Sequence, residues 1–561
     1  MISFKKMTTL LSSLILLLSL TVSSQSYLVH YNEFNHGKLN QSNGFDLKFI
    51  DNIVHLSDPE HRIRNFMDYK RNENVSIIEF EGNLFRTVTS FDSLTKGIKT
   101  EKTDTVLNQV CKHISFKYFS NSIDVFYVES TTAKGIPFRN FFTGKNTLAL
   151  KVIINGNRTL IADKISEVPF DEKQLYPYKE STLITTAEFE ELKIRSRYQI
   201  LPVFNEVQIN FDPGIAKPVL KDNCDETIYH LSNGTVVLKK ICLPDNIENG
   251  AYTFLDLSVR SNGDAYDRTG SVFMIRPGNK ISMLNALQDS IGLLPSFRDN
   301  NNNQYHGFTL TPDFEPEIEL MRFFTSFGVD HFNKKREINN YPWFENANYK
   351  QDVSELITGT EKEIWIGVFI GNYDKGGHII NLNLNVYPAF EETYSSTKWI
   401  QPLFNTVNIM EMSGQNYPRF FNNDTLVVDF EIPELIKDLQ LLYTATGHGG
   451  WGNGEEFNPK LNQILIDGKE VYRVVPWRTD CGTYRLYNPA SGNFENGLSS
   501  SDLSRSNWCP ATLTPPDRIP LGNIGTGKHR MEIIIDQGAD EGSSFNAWNV
   551  SGILTGNKIK K

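Results

Sequence analysis

Two acidic segments hold the residues best suited to chemistry. Asp264-Ala-Tyr-Asp-Arg-Thr-Gly270 runs into the apolar stretch Ser271–Ile275, which places Asp267 and Arg268 at a strand entrance. A carboxylate held ionised by a neighbouring guanidinium can orient or deprotonate water, and its pKa follows that environment. Taken alone, adjacent opposite charges on a turn are usually a solvated surface pair. Gly454-Glu-Glu-Phe457 offers a second acid, Glu456, directly after the glycine-rich run Thr446-Gly-His-Gly-Gly-Trp-Gly-Asn-Gly454. That run lacks the Lys-Ser/Thr pair of a phosphate-binding loop, so its glycines are expected to serve close backbone approach or positive φ. His448 within it is a lone loop histidine, for which a structural or exposed role is the default. Further on, Pro476–Cys481 and Ser504–Pro510 bracket Asn488–Leu503, a loop too rich in Gly, Ser and Asn to form regular structure unaided. The aromatics and arginines there suit a sugar site, where rings stack on pyranose faces and planar polar groups bond hydroxyls. The alternative is that Trp477 and Trp508 only pack around a disulfide. The chain has no HExxH, no CxxC pair and no HxH, so no metal or other cofactor is expected.

Short strands must position these residues. Ile380, Leu382, Leu384 and Val386 alternate with Asn381, Asn383 and Asn385, the pattern of a half-buried antiparallel strand. Leu426–Ile432, Gln463–Ile466, Glu532–Ile535 and Ser271–Ile275 have similar length and β-branched or aromatic content, with Gly, Asn and Pro in the gaps. Many such strands without βαβ alternation predict sandwiches or jelly rolls. One helix is predicted near residue 186, where Thr185 and Glu188 have capping-box spacing before Phe189 and Leu192. Domain boundaries are expected near 205, with Arg195–Pro202 as the connection, and at 388–400. Asn300–Asn303 reads as an inserted loop.

Length and charge bound the class. At 561 residues the chain suggests three or four packed units, and its net charge of −10 argues against nucleic acid as a partner. Lys5 and Lys6, the apolar run Leu10–Val22 and the small residues Ser23 and Ser24 read as a signal peptide over residues 1–25. The run is too short for a membrane anchor, so a secreted or periplasmic protein is expected. In an oxidising compartment disulfides persist. Cys224 and Cys242 flank one short segment, and Cys481 and Cys509 flank the Gly/Ser/Asn-rich loop. Either pair could close a loop worth about 3 kcal/mol, with Cys111 left over as a small buried hydrophobe.

In these segments, taken in order over roughly residues 205–555, the chain resembles the peptide-N-glycosidase F family. The Asp264–Ile275 strand entrance, the Glu363–Pro388 strand pair, the Thr446–Asp467 loop and strand, the Arg505–Pro510 segment and the closing Phe545–Gly552 strand carry the likeness. The resemblance implies an all-β fold: two side-by-side jelly-roll sandwiches over residues 205–388 and 400–561 with the active site between them. An additional, mainly β domain over residues 26–204 is similar to the bowl-like domain of longer relatives. It implies a metal-free, monomeric amidase that hydrolyses the bond between an N-linked glycan and asparagine in glycoproteins and glycopeptides. Carried over by position, Asp267 is the principal catalytic acid, Glu456 the second with Glu455 as competitor, Arg268 and Arg505 the supporting arginines, and Cys481–Cys509 a family disulfide. Trp508 falls in the same matched segment as support for the site. Gly367 stands where the family has a third acid and Phe369 where it has a tryptophan, both expected on the cleft face. That departure implies room for a core α1,3-fucose. Two rivals stay open, an endo-acting glycoside hydrolase and a non-catalytic glycan-binding surface protein.

Overall fold

Alternation decides which face of each strand is buried. In the strand His378–Tyr387 the apolar positions are buried and the asparagines between them are half-exposed, as the pattern predicts. The computed structural model describes residues 26–559 except 41–43, 57–62, 81, 131, 139, 170–176, 179, 245–246, 248–250, 279–280, 334–336, 388–395, 423, 450–453, 491–499, 523 and 540–545. The predicted signal segment, most of the 388–400 boundary and parts of two predicted loops lie outside the described residues. No helix among the described residues is long and apolar enough to cross a membrane.

The chain divides into two units, Met1–Arg197 and Tyr198–Lys561. In the first, thirteen strands form one sheet with Thr182–Leu183 at one edge and Ile98–Val106 at the other. Its core gathers Val29, Tyr31, Leu47, Val125, Leu150 and the unbridged Cys111. The predicted helix is present as Thr186–Arg195. The Thr185 hydroxyl accepts from the Glu188 N–H, and the Glu188 carboxylate accepts from the Thr185 N–H, so two otherwise orphaned donors are satisfied. The connection that follows is shorter than expected. Gln199–Pro202 already pairs with Asn383–Val386 in the second unit, and the register shifts at Pro202. Proline lacks an N–H to donate and is tolerated at a bulge on an edge strand, so the boundary falls at 197/198 rather than near 205.

The second unit holds two jelly-roll sandwiches. In the first, Gln199–Ile209, His378–Tyr387, Tyr252–Ser261 and Asn346–Asp352 face a sheet ordered Tyr229–Leu231, Val236–Cys242, Glu363–Ile370, Thr269–Ile275, Ile318–Phe324 and Leu513–Thr514. In the second, Ser396–Asn405, Ala547–Ile559, Ile436–His448 and Asp517–Pro520 form one layer. Leu426–Ile432, Gly527–Ile535, Asn462–Ile466 and Lys469–Val474 form the other. Three features lock the sandwiches together. Leu513–Thr514 crosses over to pair with Arg322 and Phe323. Ile400, Leu442 and Ile553 join the core of the first sandwich. Between them Arg322 is fully buried: its Nε and Nη2 donate to both oxygens of Glu319, and its Nη1 donates to Thr446 Oγ1 and the Asn549 carbonyl. A buried ion pair with every partner satisfied is tolerated, whereas removal of one member is costly.

The region around Asn300–Asn303 is a hairpin rather than a loop. Ser296–Arg298 pairs with Gln304–His306, and the Asp299 carboxylate collects N–H groups from Asn301 and Asn303 and the Tyr305 hydroxyl. Tyr305 and Phe308 then pack into the core of the second sandwich. Both expected disulfides, Cys224–Cys242 and Cys481–Cys509, are formed, with Cα separations of 5.7 and 5.2 Å. Among the described residues the one grouping with metal-ligand spacing is Cys224, Cys242 and Glu363, and there the two sulfurs are bonded to each other.

Candidate active site

Asp267 enters from the first sandwich, just before the strand Thr269–Ile275, and Glu456 from the second, just after the glycine-rich run. They converge on one guanidinium. Arg505 Nη1 donates to Glu456 Oε1 at 2.5 Å and to Asp267 Oδ2 at 3.4 Å. Arg505 is buried, and its Nη2 donates to the Ser500 carbonyl. Its backbone exchanges hydrogen bonds with Arg478, just ahead of the loop that Cys481–Cys509 closes. The guanidinium lies 4.4 Å from the Trp508 ring and 5.1 Å from that of Phe457. Trp508 in turn stacks on Phe324 at 4.4 Å and donates its Nε1 hydrogen to the Gly447 carbonyl at 3.0 Å. It is buried beneath the arginine and offers no free face to a sugar. Its place in the site is to hold Arg505.

Arg268 points away from the two acids. Its Nε and Nη2 donate to Asp264 Oδ2 and Oδ1 at 2.7 and 3.2 Å. Its backbone N–H donates to Thr325 Oγ1, whose own hydrogen goes to the Tyr266 carbonyl. Of the two arginines expected to support the acids, Arg505 therefore contacts them and Arg268 does not. It is paired with Asp264 and reaches Asp267 only through its field. Asp264 and Thr325 are parts of the site that sequence reasoning missed. Asp264 stands four residues before Arg268 in the same segment, a spacing too common to single it out.

Burial dominates the electrostatics of the acids. It pushes the Glu456 carboxyl up to about 8, the Asp267 charge adds to the shift, and Arg505 opposes it. Asp267 is also raised by burial, against the pull of Arg505 and then Arg268. One guanidinium shared by two carboxylates whose side chains are only 18% and 19% exposed favours retention of a single proton between them. Arg505 lies closer to Glu456, at 2.5 Å, than to Asp267, at 3.4 Å, and the two carboxyls titrate as a pair rather than as independent acids. Glu455 turns the other way. Its oxygens accept from Trp548 Nε1 at 2.7 Å and from the Gly538 N–H at 2.8 Å, fully buried. Of the two adjacent acids, only Glu456 meets Arg505. His448 is a half-buried ring 2.8 Å from Thr446 Oγ1. Burial, then Arg322 and Arg505, push its pKa down to about 3, so it stays neutral.

Two family models match this chain: peptide-N-glycosidase F, N terminal, over residues 200–386, and peptide-N-glycosidase F, C terminal, over residues 416–555. A crystal structure of PNGF-II in space group P21 is 40% identical, covering 95% of this chain and 99% of that one with a TM-score of 0.74. The chain belongs to the peptide-N-glycosidase F family. A second PNGF-II crystal form is 39% identical over 96% of this chain and 99% of that one, with a TM-score of 0.72. PNGase F from Flavobacterium meningosepticum is 12% identical, covering 65% of this chain and 96% of that one with a TM-score of 0.42. No curated protein sequence matches the chain. Membership places it among the amidases of N-linked glycans.

One departure from the peptide-N-glycosidase F pattern is corrected by the structure. Gly367 and Phe369 do not line an open cleft. Gly367 sits directly opposite Phe273 on the neighbouring strand, and a Cβ there would fall 2.3 Å from the Phe273 ring. Phe369 is buried in the same cluster, with Trp365, Val407, Ile409 and Met410. A glycine inside a strand marks a close approach, and what approaches is this phenyl ring. No room for a core α1,3-fucose is created at Gly367.

Proposed function

We propose that this protein hydrolyses the amide between the innermost N-acetylglucosamine and asparagine, with Asp267 as general base and Glu456 as general acid. The observation that carries the reading is the single Arg505 Nη1 shared by both carboxylates, an arrangement in which the pair can hold one proton and divide the roles of base and acid between its members. Asp267 takes a proton from water, and the oxygen attacks the asparagine side-chain carbonyl carbon. The fields of Arg505 and Arg268 oppose the negative charge that develops on the carbonyl oxygen. As the C–N bond breaks, Glu456 gives its proton to the departing nitrogen. The products are an aspartate-containing peptide and a glycosylamine, which hydrolyses to ammonia and a reducing glycan. The two disulfides support an oxidising compartment, as for a secreted or periplasmic enzyme.

Product masses decide between the readings. In oxygen-18 water a glycopeptide should yield a sugar-free peptide with Asp in place of Asn, carrying one heavy oxygen in its carboxylate. A peptide retaining one N-acetylglucosamine would establish an endoglycosidase, and unchanged glycopeptide that co-elutes with the protein would favour a binding protein.

The pH profile should be bell-shaped. Activity is expected to fall as pH rises through about 8, where Glu456 loses its proton, and to fall on the acid side as Asp267 is protonated. Glu456→Gln should lower the rate and remove the alkaline limb. An unchanged limb in that variant would exclude Glu456 as the acid. Stability has a definite sign too. Glu456 binds its proton more tightly folded than unfolded, so its contribution is present below the ordinary carboxylate pKa and is lost as pH rises through about 8.

A further inference from the structure

One edge of the first unit's sheet is the ribbon of Ile98–Val106 and Gln109–Tyr118. Its outer strand is exposed from Ile98 to Thr103. Two-residue turns close the ribbon at Leu107–Asn108 and join its inner strand to Asn121–Glu129 at Phe119–Ser120. In each turn the first residue is left-handed, Leu107 with φ 49° and Phe119 with φ 53°. That backbone crowds a Cβ, so short polar residues and glycine are the usual occupants. The other described left-handed positions in this unit that are not glycine obey the rule: they are His36, Asp51, Asn52, Asn72, Asn108 and Asn155.

Phe119 finds little packing within the chain to offset its strain. It is 90% exposed, and its ring meets that of Tyr118 edge-on with centroids 4.7 Å apart. Ile98, which pairs with Ser115 on the same ribbon, is 75% exposed. A strained turn whose side chain stands in solvent points to a contact made outside the fold. The surrounding charge selects that contact. Lys96, Lys99, Lys102, Lys112 and Lys117 stand in this stretch against Glu101 and Asp104, and all five lysines are exposed. The local excess is positive in a chain of net charge −10. At the Leu107 end Val110 is also exposed, but Lys112 is held there by Glu129 at 2.7 Å. The Phe119 end has Lys96, Lys99 and Lys117 beside its two apolar side chains.

We propose that Phe119 and Ile98 form a peripheral docking tip for a bilayer with anionic headgroups. The phenyl ring and the isoleucine side chain enter the boundary between headgroups and acyl chains, and Lys96, Lys99 and Lys117 meet the anionic groups of the lipids. Two features favour a bilayer over a second copy of this chain. Lysines on an exposed edge strand oppose its pairing with another strand. A ring standing out on a hairpin turn enters a soft apolar layer, whereas against a rigid protein it buries far less than the area of a stable interface. The contact is reversible, since two apolar side chains and three lysines fall well short of a spanning helix. It is independent of the amide chemistry, whose residues belong to the other unit.

The test is sedimentation of the whole protein with vesicles of phosphatidylcholine alone or mixed with phosphatidylserine. Wild type should bind the mixed vesicles and be released as salt rises, because attraction to the headgroups is screened. Phe119→Asn removes the ring and relieves the turn. Its Tm should hold or rise while vesicle binding falls about tenfold or more, the scale of burying one phenyl ring. Lys99→Glu combined with Lys117→Glu should weaken binding to the mixed vesicles and flatten its salt dependence. Glycopeptide cleavage in solution should match wild type in every variant. Should the asparagine variant fold poorly, Ile98→Ser carries the test. A wild type that binds neither vesicle, or both alike, would overturn the proposal, and so would full binding by the folded Phe119→Asn or Ile98→Ser protein. A wild-type dimer that Phe119→Asn dissociates would overturn it too, because the occupant would then be a second copy of the chain.

Discussion

Asp267→Asn should lower kcat by about 10²–10⁴, the range of general-base catalysis, with little change in Tm. The substitution keeps the side-chain volume and removes only the group able to take a proton. Arg505 keeps its stronger bond to Glu456 at 2.5 Å, so the site retains its shape. A second readout separates lost chemistry from lost structure. The Asp267 charge is one of the influences that raise Glu456, so the alkaline limb of whatever activity remains should move to lower pH. Steady-state kinetics across pH, with thermal unfolding as the control, measure both. A variant within about tenfold of wild type would remove Asp267 from the base role.

Arg505→Ala should damage stability and activity together. The arginine is fully buried, and without it two half-buried carboxylates lose the cation they share while Trp508 and Phe457 lose the group stacked on them. Removing one partner of a buried ion pair costs about 3–5 kcal/mol, and calorimetry should show a clearly lower Tm. Arg505→Lys is the finer probe. An ammonium can meet one acid but cannot fork to both acids and to the Ser500 carbonyl, because it lacks the planar arrangement of donors. The lysine variant should therefore fold better than the alanine variant yet remain poorly active. Lysine activity close to wild type would show that charge alone, not the fork, organises the site.

Local signals proved informative where the physics is local. The capping box at Thr185 and Glu188 depends on residues three apart and was legible at sight. The alternation around Ile380–Val386 depends on the two-residue period of a strand and predicted its buried face. The Arg195–Pro202 connection was misplaced because a proline and a charged run outweigh pairing that comes from Asn383–Val386, nearly two hundred positions away. Gly367 misled for the same reason. Its glycine was legible, but the Phe273 ring that fills the space is on a different strand, and only the register brings them opposite each other.

By itself, the sequence determined an all-β chain and the order of its short motifs, because these are written in local pattern and residue type, while the segments containing Asp267, Glu456 and Arg505 and the Cys481–Cys509 pairing stood out through the family resemblance. Only the tertiary structure decided the pairings. Asp267 and Arg505 are 238 positions apart, and Glu456 and Arg505 are 49 apart. Arg268 goes to Asp264 and not to the acids, and Glu455 goes to Trp548. These contacts follow from how two sandwiches pack around Arg322 and Glu319, and packing between distant strands leaves no periodic trace in the chain that could be read in advance.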